Sequence, residues 1–357
     1  MKKRIAALLF VNCILLQQAA GCTTFFINKD GQLIFGRNYD WLTDAGMVCI
    51  NLRGLLKTSL KADKHSNSIT WISRYGSISF NQYRKEFPTG GMNENGLVVE
   101  IMWAAGTIYP AADKRPALQL LQWIQYQLDN NAVIDEVIAT DKDIRIAADN
   151  PPCHFLVADS SGNAATIEFI AGKMLVHRGK DLPFPVFTNS SYAASVKAAN
   201  DANVLSGNTN FSFQDNSLQR FTRACSMVQQ FQQHKIDKPI VDYAFYILKK
   251  VAAPGFTRWS IVYDLKNKMI HFKTAEFQDI KSFTLNAFDF ACTAPAMVLD
   301  MNQSIKGDKN KNFLPFSDAI NREITERAVK ESQSQLPISN EAKEANIIYP
   351  RSIRCNN

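Results

Sequence analysis

The chain has 357 residues, 46% of them hydrophobic, with 23 Phe and a formal net charge of +7. That is enough apolar material for one large core. The weak positive balance, with no Lys/Arg cluster, argues against nucleic acid or an anionic membrane as the main partner.

Residues 1–21, MKKRIAALLFVNCILLQQAAG, read as a secretory signal: a basic start at Lys2, Lys3 and Arg4, an apolar run, and small residues Ala19 and Gly21 at positions −3 and −1 before Cys22. The run is too short to span a bilayer. Its removal takes three positive charges and leaves +4. It predicts a periplasmic or secreted bacterial protein that starts at Cys22. Six cysteines then remain, with no Cys-x-x-Cys pair. Cys49 and Cys225 read as buried thiols, and Cys292 with Cys355 is a candidate disulfide.

From Cys22 the chain alternates as strands do: CTTFFIN, a KDGQ turn and LIFGRNYDW predict a hairpin whose first strand is the chain start. Strand-like runs follow at MVCINL, SITWIS and SISFN, and around GGMNENGLVVEIMW. PALQLLQWIQYQLDN and AVIDEVIAT then carry a helical period. Strands return in CHFLVADSSGNAATIEFIAGKMLVHRG, joined at SSGN, and in FPVFTN. LQRFTRACSMVQQFQQH and VDYAFYILKKVA predict helices, and WSIVYDLKNKMIHFKT predicts a hairpin. Blocks of antiparallel strands separated by helices predict two stacked sheets between helix layers rather than a parallel βαβ sheet. Beyond about residue 304 the chain is more polar, and SDAINREITERAVKESQ predicts an amphipathic helix on the body or on a neighbouring subunit. Residues 22–357 read as one domain with a helical C-terminal extension.

Cys22 admits three readings. A lipid anchor calls for an aliphatic residue, usually Leu, where Ala19 stands, and for a flexible tether where TTFFI enters a strand. An ordinary buried cysteine results if cleavage falls after Ala20. The third reading is an N-terminal nucleophile. Its α-amine, with a reference pKa near 7.7 to 8.0, is partly unprotonated at neutral pH and takes the thiol proton.

Several stretches then carry a resemblance: CTTFF with GRNYDW, GGMNENGL, VFTNSS, LQRFTRA and TRWSIVYDL, in this order. Together they resemble the choloylglycine hydrolases and penicillin V acylases, linear-amide hydrolases of the N-terminal nucleophile superfamily. The resemblance implies an α+β fold, a four-layer αββα sandwich, and cleavage of a linear C–N amide of an N-acyl compound. It implies Cys22 as nucleophile, Asp40 as acceptor for the α-amine and Arg37 as a positive charge that favours thiolate. Asn189 would donate to the oxyanion, and Arg220 would complete the charge network. Trp103, where relatives carry Asn or Tyr, would add a backbone N–H to the oxyanion site. With Trp41 it points to an aromatic acyl pocket.

No metal or organic cofactor is implied. His65, His154, His177, His234 and His271 show no ligand spacing, and no phosphate-binding glycine loop appears. The partner is a small N-acyl amide such as a conjugated bile salt, a phenoxyacetyl penicillin or an acyl-homoserine lactone, and the resemblance implies a homo-oligomer, a tetramer. An acyltransferase of the same fold and a lipid-anchored, non-catalytic binding protein are the alternative readings.

Overall fold

The structure, a computed structural model, describes residues 21–62, 67–206, 216–233, 236, 238–305, 309–334 and 336–356. The signal segment before Gly21, His65 and His234 lie outside the described residues.

Strands β1 (Thr23–Lys29) and β2 (Gln32–Asp40) form the expected hairpin, with Thr23 opposite Asn38 and Lys29 opposite Gln32. Its two turn residues, Asp30 and Gly31, both have positive φ, at 52° and 74°. That backbone suits the twist of a two-residue hairpin and is tolerated by Asp and Gly. The centre of β2 is buried on both faces, so the sheet has no solvated side.

Two antiparallel sheets account for this burial. The first carries β1 and β2 at its centre, flanked by Val186–Phe187 on one side and by Thr257–Asp264, Met269–Thr274 and Lys281–Thr284 on the other. The second has nine strands, among them Met47–Asn51, Ser77–Asn81, Pro88–Asn93, Val98–Trp103, Cys153–Ala158 and Ala164–Ile170. Phe25, Phe35, Phe80, Met92, Tyr263 and Phe272 fill the space between them.

Helices α1 (Leu120–Asn130) and α2 (Ile134–Ala139) cover the outer face of the nine-stranded sheet through Trp123, Ile124, Leu128 and Val137. After α3 (Tyr192–Asp201), α4 (Ser217–Gln233) and α5 (Ile240–Lys250) cover the other sheet with Phe221, Val228, Ile247 and Leu248. The order is helix, sheet, sheet, helix, the αββα sandwich expected from sequence. Of the two C-terminal helices, α6 (Asp318–Ser332) packs Ile324 on Met47, Cys49 and Val298, and α7 is Asn340–Ile348.

Some elements differ from the sequence expectation. Helix α1 starts at Leu120; Ala117–Leu118 pairs instead as a short parallel strand with Arg145–Ile146. NAATIEFIAGKMLVHRG is two strands, turned at Ala171 and Gly172 with φ of 49° and 77°. Helix α3 is absent from the sequence expectation. It contains little large apolar material, and Ser191 caps it by accepting from the Ala194 N–H at 3.4 Å. Cys292 and Cys355 are disulfide-bonded with Cα atoms 5.5 Å apart, and Cys49 and Cys225 are buried free thiols.

Candidate active site

Strand pairing brings the site together. Thr23 faces Asn38, so the end of β2 at Asp40 returns beside Cys22; Thr24 faces Phe187, so Asn189 lies just past the same edge. Cys22 is 5% exposed, and its Sγ stands 3.9 Å from the Asp40 backbone carbonyl. Burial first, and then the Asp40 charge, push the thiol up to about 11 against the opposing pull of Arg37 and Arg220. Such a thiol needs a base to react at neutral pH.

Asp40 is fully buried, and neither carboxylate oxygen is met by a well-formed hydrogen bond among the described residues. Burial raises its pKa to about 7, although nearby Thr257, Arg220, Arg37 and Arg258 pull the other way. Buried carboxylate oxygens without well-formed hydrogen bonds are costly and favour a further donor.

Arg37 is equally buried. It forms an ion pair with Glu100, donates to the Thr89 and Ile101 carbonyls at 3.2 Å, and stacks 4.6 Å from the Tyr39 ring centroid. Sequence reasoning missed Glu100. The available signal was a single carboxylate inside the apolar run VVEIM of an inner strand, where an unpaired charge would not be tolerated.

Asn189 bridges the two sheets. Its Nδ2 donates to the Trp103 carbonyl at 2.9 Å, and its Oδ1 accepts from Arg220 Nη2 at 2.9 Å. Ser217 at the start of α4 fixes the same loop by accepting from the backbone N–H groups of Asn189 and Ser190, each at 2.9 Å. Arg223, one turn along, points elsewhere and donates to the Lys250 carbonyl. A Cβ on Gly21 would overlap the Arg220 guanidinium, so the residue before Cys22 packs directly against that cation.

A cavity of about 570 Å³ opens beside Cys22 and contains both Trp41 and Trp103 with Tyr39, Phe87, Leu120 and Leu121. Its size and apolar lining fit a small-molecule site. Trp41 Nε1 donates to Tyr83 Oη at 2.8 Å, which sets the ring's orientation. The C-terminal extension contributes Leu336, Ile338 and Asn346 to the wall, which sequence reasoning did not anticipate. A larger depression of about 860 Å³, lined by Asp135, Asp159, Arg178 and Lys180, does not include Cys22. Among the described residues no group of three His, Cys, Asp or Glu is placed to hold a metal.

The sandwich with a cysteine heading its central hairpin is that of the N-terminal nucleophile hydrolases. Residues 22–298 match the linear amide C–N hydrolases, choloylglycine hydrolase family, and the chain belongs to it. A similar relative is the penicillin V acylase of Pectobacterium atrosepticum, 28% identical over 79% of this chain and 86% of that protein. Among solved structures, the penicillin V acylase of Agrobacterium tumefaciens superposes with a TM-score of 0.72 at 25% identity, covering 83% of this chain and 98% of that one. A variant of the conjugated bile acid hydrolase of Clostridium perfringens shares the fold, with a TM-score of 0.65 at 17% identity over 80% and 99% of the two chains. The protein is thus a linear amide C–N hydrolase of the penicillin V acylase and bile salt hydrolase type.

Proposed function

We propose that the protein is exported, cleaved between Gly21 and Cys22, and acts through the Cys22 thiol and its own α-amine on a small N-acyl amide. The observation that carries this reading is Asp40. The buried Asp40 carboxylate, whose oxygens lack well-formed hydrogen bonds, lies near enough to Cys22 for its charge to act on the thiol, and an α-ammonium created there supplies three N–H donors and a compensating charge.

In this mechanism the α-amine takes the thiol proton and the thiolate attacks the acyl carbonyl. Asn189, oriented by Arg220, donates to the resulting oxyanion, with the Trp103 backbone N–H as the second donor by family resemblance. The C–N bond breaks as the amine leaves with the proton from the α-ammonium. Water, deprotonated by the α-amine, then opens the thioester and releases the acid. Arg37, held by Glu100, keeps positive potential at the thiolate. The cavity with Trp41 and Trp103 receives the apolar acyl group. Penicillin V, conjugated bile salts and acyl-homoserine lactones all satisfy this chemistry. The family resemblance extends the proposal to a tetramer.

The test combines N-terminal sequencing and intact mass of exported protein with a hydrolysis screen over those substrates. A free Cys22 start with acid release supports the reading, and an added amine acceptor separates hydrolysis from acyl transfer. A mass increased by acyl chains, blocking the amine, would sink it. So would undiminished turnover after one Ala is inserted between Gly21 and Cys22 with cleavage still before the insert.

A further inference from the structure

The cavity beside Cys22 also holds a cation for which the mechanism has no use. Arg84 lines it, in a wall otherwise built largely of aromatic and aliphatic side chains. A guanidinium carries five N–H donors. Arg84 donates from Nη2 to the neutral Oε1 of Gln119 at 3.1 Å and lies 3.2 Å from the Phe87 ring centroid. Among the described residues no carboxylate comes within ion-pair distance of it, whereas Arg37, Arg115, Arg322, Arg327 and Arg351 each meet an Asp or Glu. Two carboxylates share the lining, the buried Asp40 and the exposed Asp149, and neither makes an ion pair with Arg84.

Arg84 is half-buried, so its guanidinium is partly desolvated against apolar walls without a counter-ion, which carries a cost. Burial lowers the Arg84 pKa, yet a guanidinium stays charged near neutral pH. An anion entering the cavity would remove that cost and gain a planar, two-pronged set of charge-assisted hydrogen bonds. We propose that Arg84 is the anion-recognition residue of this cavity, seating an anionic group of the bound amide on its guanidinium. This rests on the reading that the cavity beside Cys22 receives the acyl amide. The anion has two sources to choose between, the amine half of the amide and the far end of the acyl chain.

Two matched substrate pairs separate the sources: an N-acyl amino acid against its primary amide, and an ω-carboxyacyl amide against a neutral acyl amide of equal length. Full-length processed wild type, Arg84→Gln and Arg84→Lys are compared on all four. Wild type is expected to prefer the charged member of one pair. Arg84→Gln should raise KM on that member at least tenfold more than on its neutral partner, and Arg84→Lys should retain part of the preference. No preference by wild type in either pair would overturn the proposal, as would equal losses on charged and neutral members, the mark of a merely structural arginine. If wild type cleaves none of these amides, the catalytic reading fails while the anion site is still decided by calorimetry. Cys22→Ala protein should bind the charged compounds at least tenfold more tightly than protein carrying both Cys22→Ala and Arg84→Gln, and equal binding by the two would overturn the site.

Discussion

Arg220 donates from Nη2 to Asn189 Oδ1 at 2.9 Å, and this one bond decides which end of the amide is left to donate. With the oxygen committed to Arg220, the NH2 group is left for the Trp103 carbonyl and, through its second hydrogen, for an oxyanion. Asn189→Ala is therefore expected to lower kcat by roughly 100- to 1000-fold, the usual effect of removing one oxyanion donor, with a small change in KM. Arg220→Met should cost less, because the donor remains and only its orientation is lost. Steady-state kinetics check the order. Equal losses in the two variants would mean that Arg220 acts directly rather than through Asn189.

Asp40 links burial to pH. In protein that still carries Gly21, the folded carboxyl holds its proton up to about 7 because of burial, whereas the unfolded chain releases it near 4. Across that window the native state binds more protons, so stability falls as pH rises from about 4 to about 7. The cost is at most about 4 kcal/mol. Glu100 is displaced in the same direction, also by burial, to about 7, so the prediction is read as a difference. Denaturant titrations at several pH values should show a shallower fall for Asp40→Asn than for its parent. In processed protein the new α-ammonium should shift the Asp40 contribution toward the ordinary carboxylate range. Parallel curves for parent and Asp40→Asn would refute the assignment.

Gly90 protects the Arg37 to Glu100 pair. It sits opposite Glu100 in the sheet, and a Cβ there would overlap the Glu100 carboxylate. Gly90→Ala must displace that carboxylate, leaving Arg37 charged and unpaired in a position with no solvent. Breaking a buried pair typically costs about 3 to 5 kcal/mol, and a denaturation midpoint should report a loss of that order. A loss within about 1 kcal/mol would show that Glu100 can swing aside without consequence.

The grouping of residues around Cys22 was legible where they belong to short-range devices. Cys22, Arg37, Asp40 and Trp41 share one hairpin, whose turn chemistry at Asp30 and Gly31 sets the register. Asn189 and Arg220 stood out only through the family pattern. Glu100 and Arg84 were not legible in this way. Each depends on contacts between elements far apart in sequence, and a charged residue in a strand or loop does not reveal whether it will find a partner. From Cys22 the chain reads as alternating, yet the inner strands are buried almost throughout because both faces are covered, one by the opposing sheet and one by helices.

The C-terminal extension forms a wall of the cavity beside Cys22, although residues 299–357 lie beyond the family match. Several contacts hold it there. Within it, Asn321 Nδ2 ties the first helix to the Ile347 carbonyl at 3.0 Å; against the body, Tyr349 Oη donates to the Thr58 carbonyl at 2.9 Å, and the Tyr349 ring meets Phe87 at a centroid distance of 5.2 Å. Cys355 adds the disulfide to Cys292. Leu336 and Ile338 project from this anchored segment into the cavity that contains Cys22. Neither side chain carries a group that can donate or accept a proton, so truncation should alter which acyl chain is accepted rather than the bond-breaking step. Leu336→Ala with Ile338→Ala is expected to raise KM for small acyl groups by about 10-fold or more, since each lost methylene contact is worth ~1 to 3 kcal/mol. Preference should shift toward bulkier chains, with kcat on the best substrate little changed. A series of acyl amides of increasing chain length measures the shift. An unchanged acyl preference would place the extension outside the working pocket, and a uniform fall in kcat would mean that it supports the catalytic strands instead.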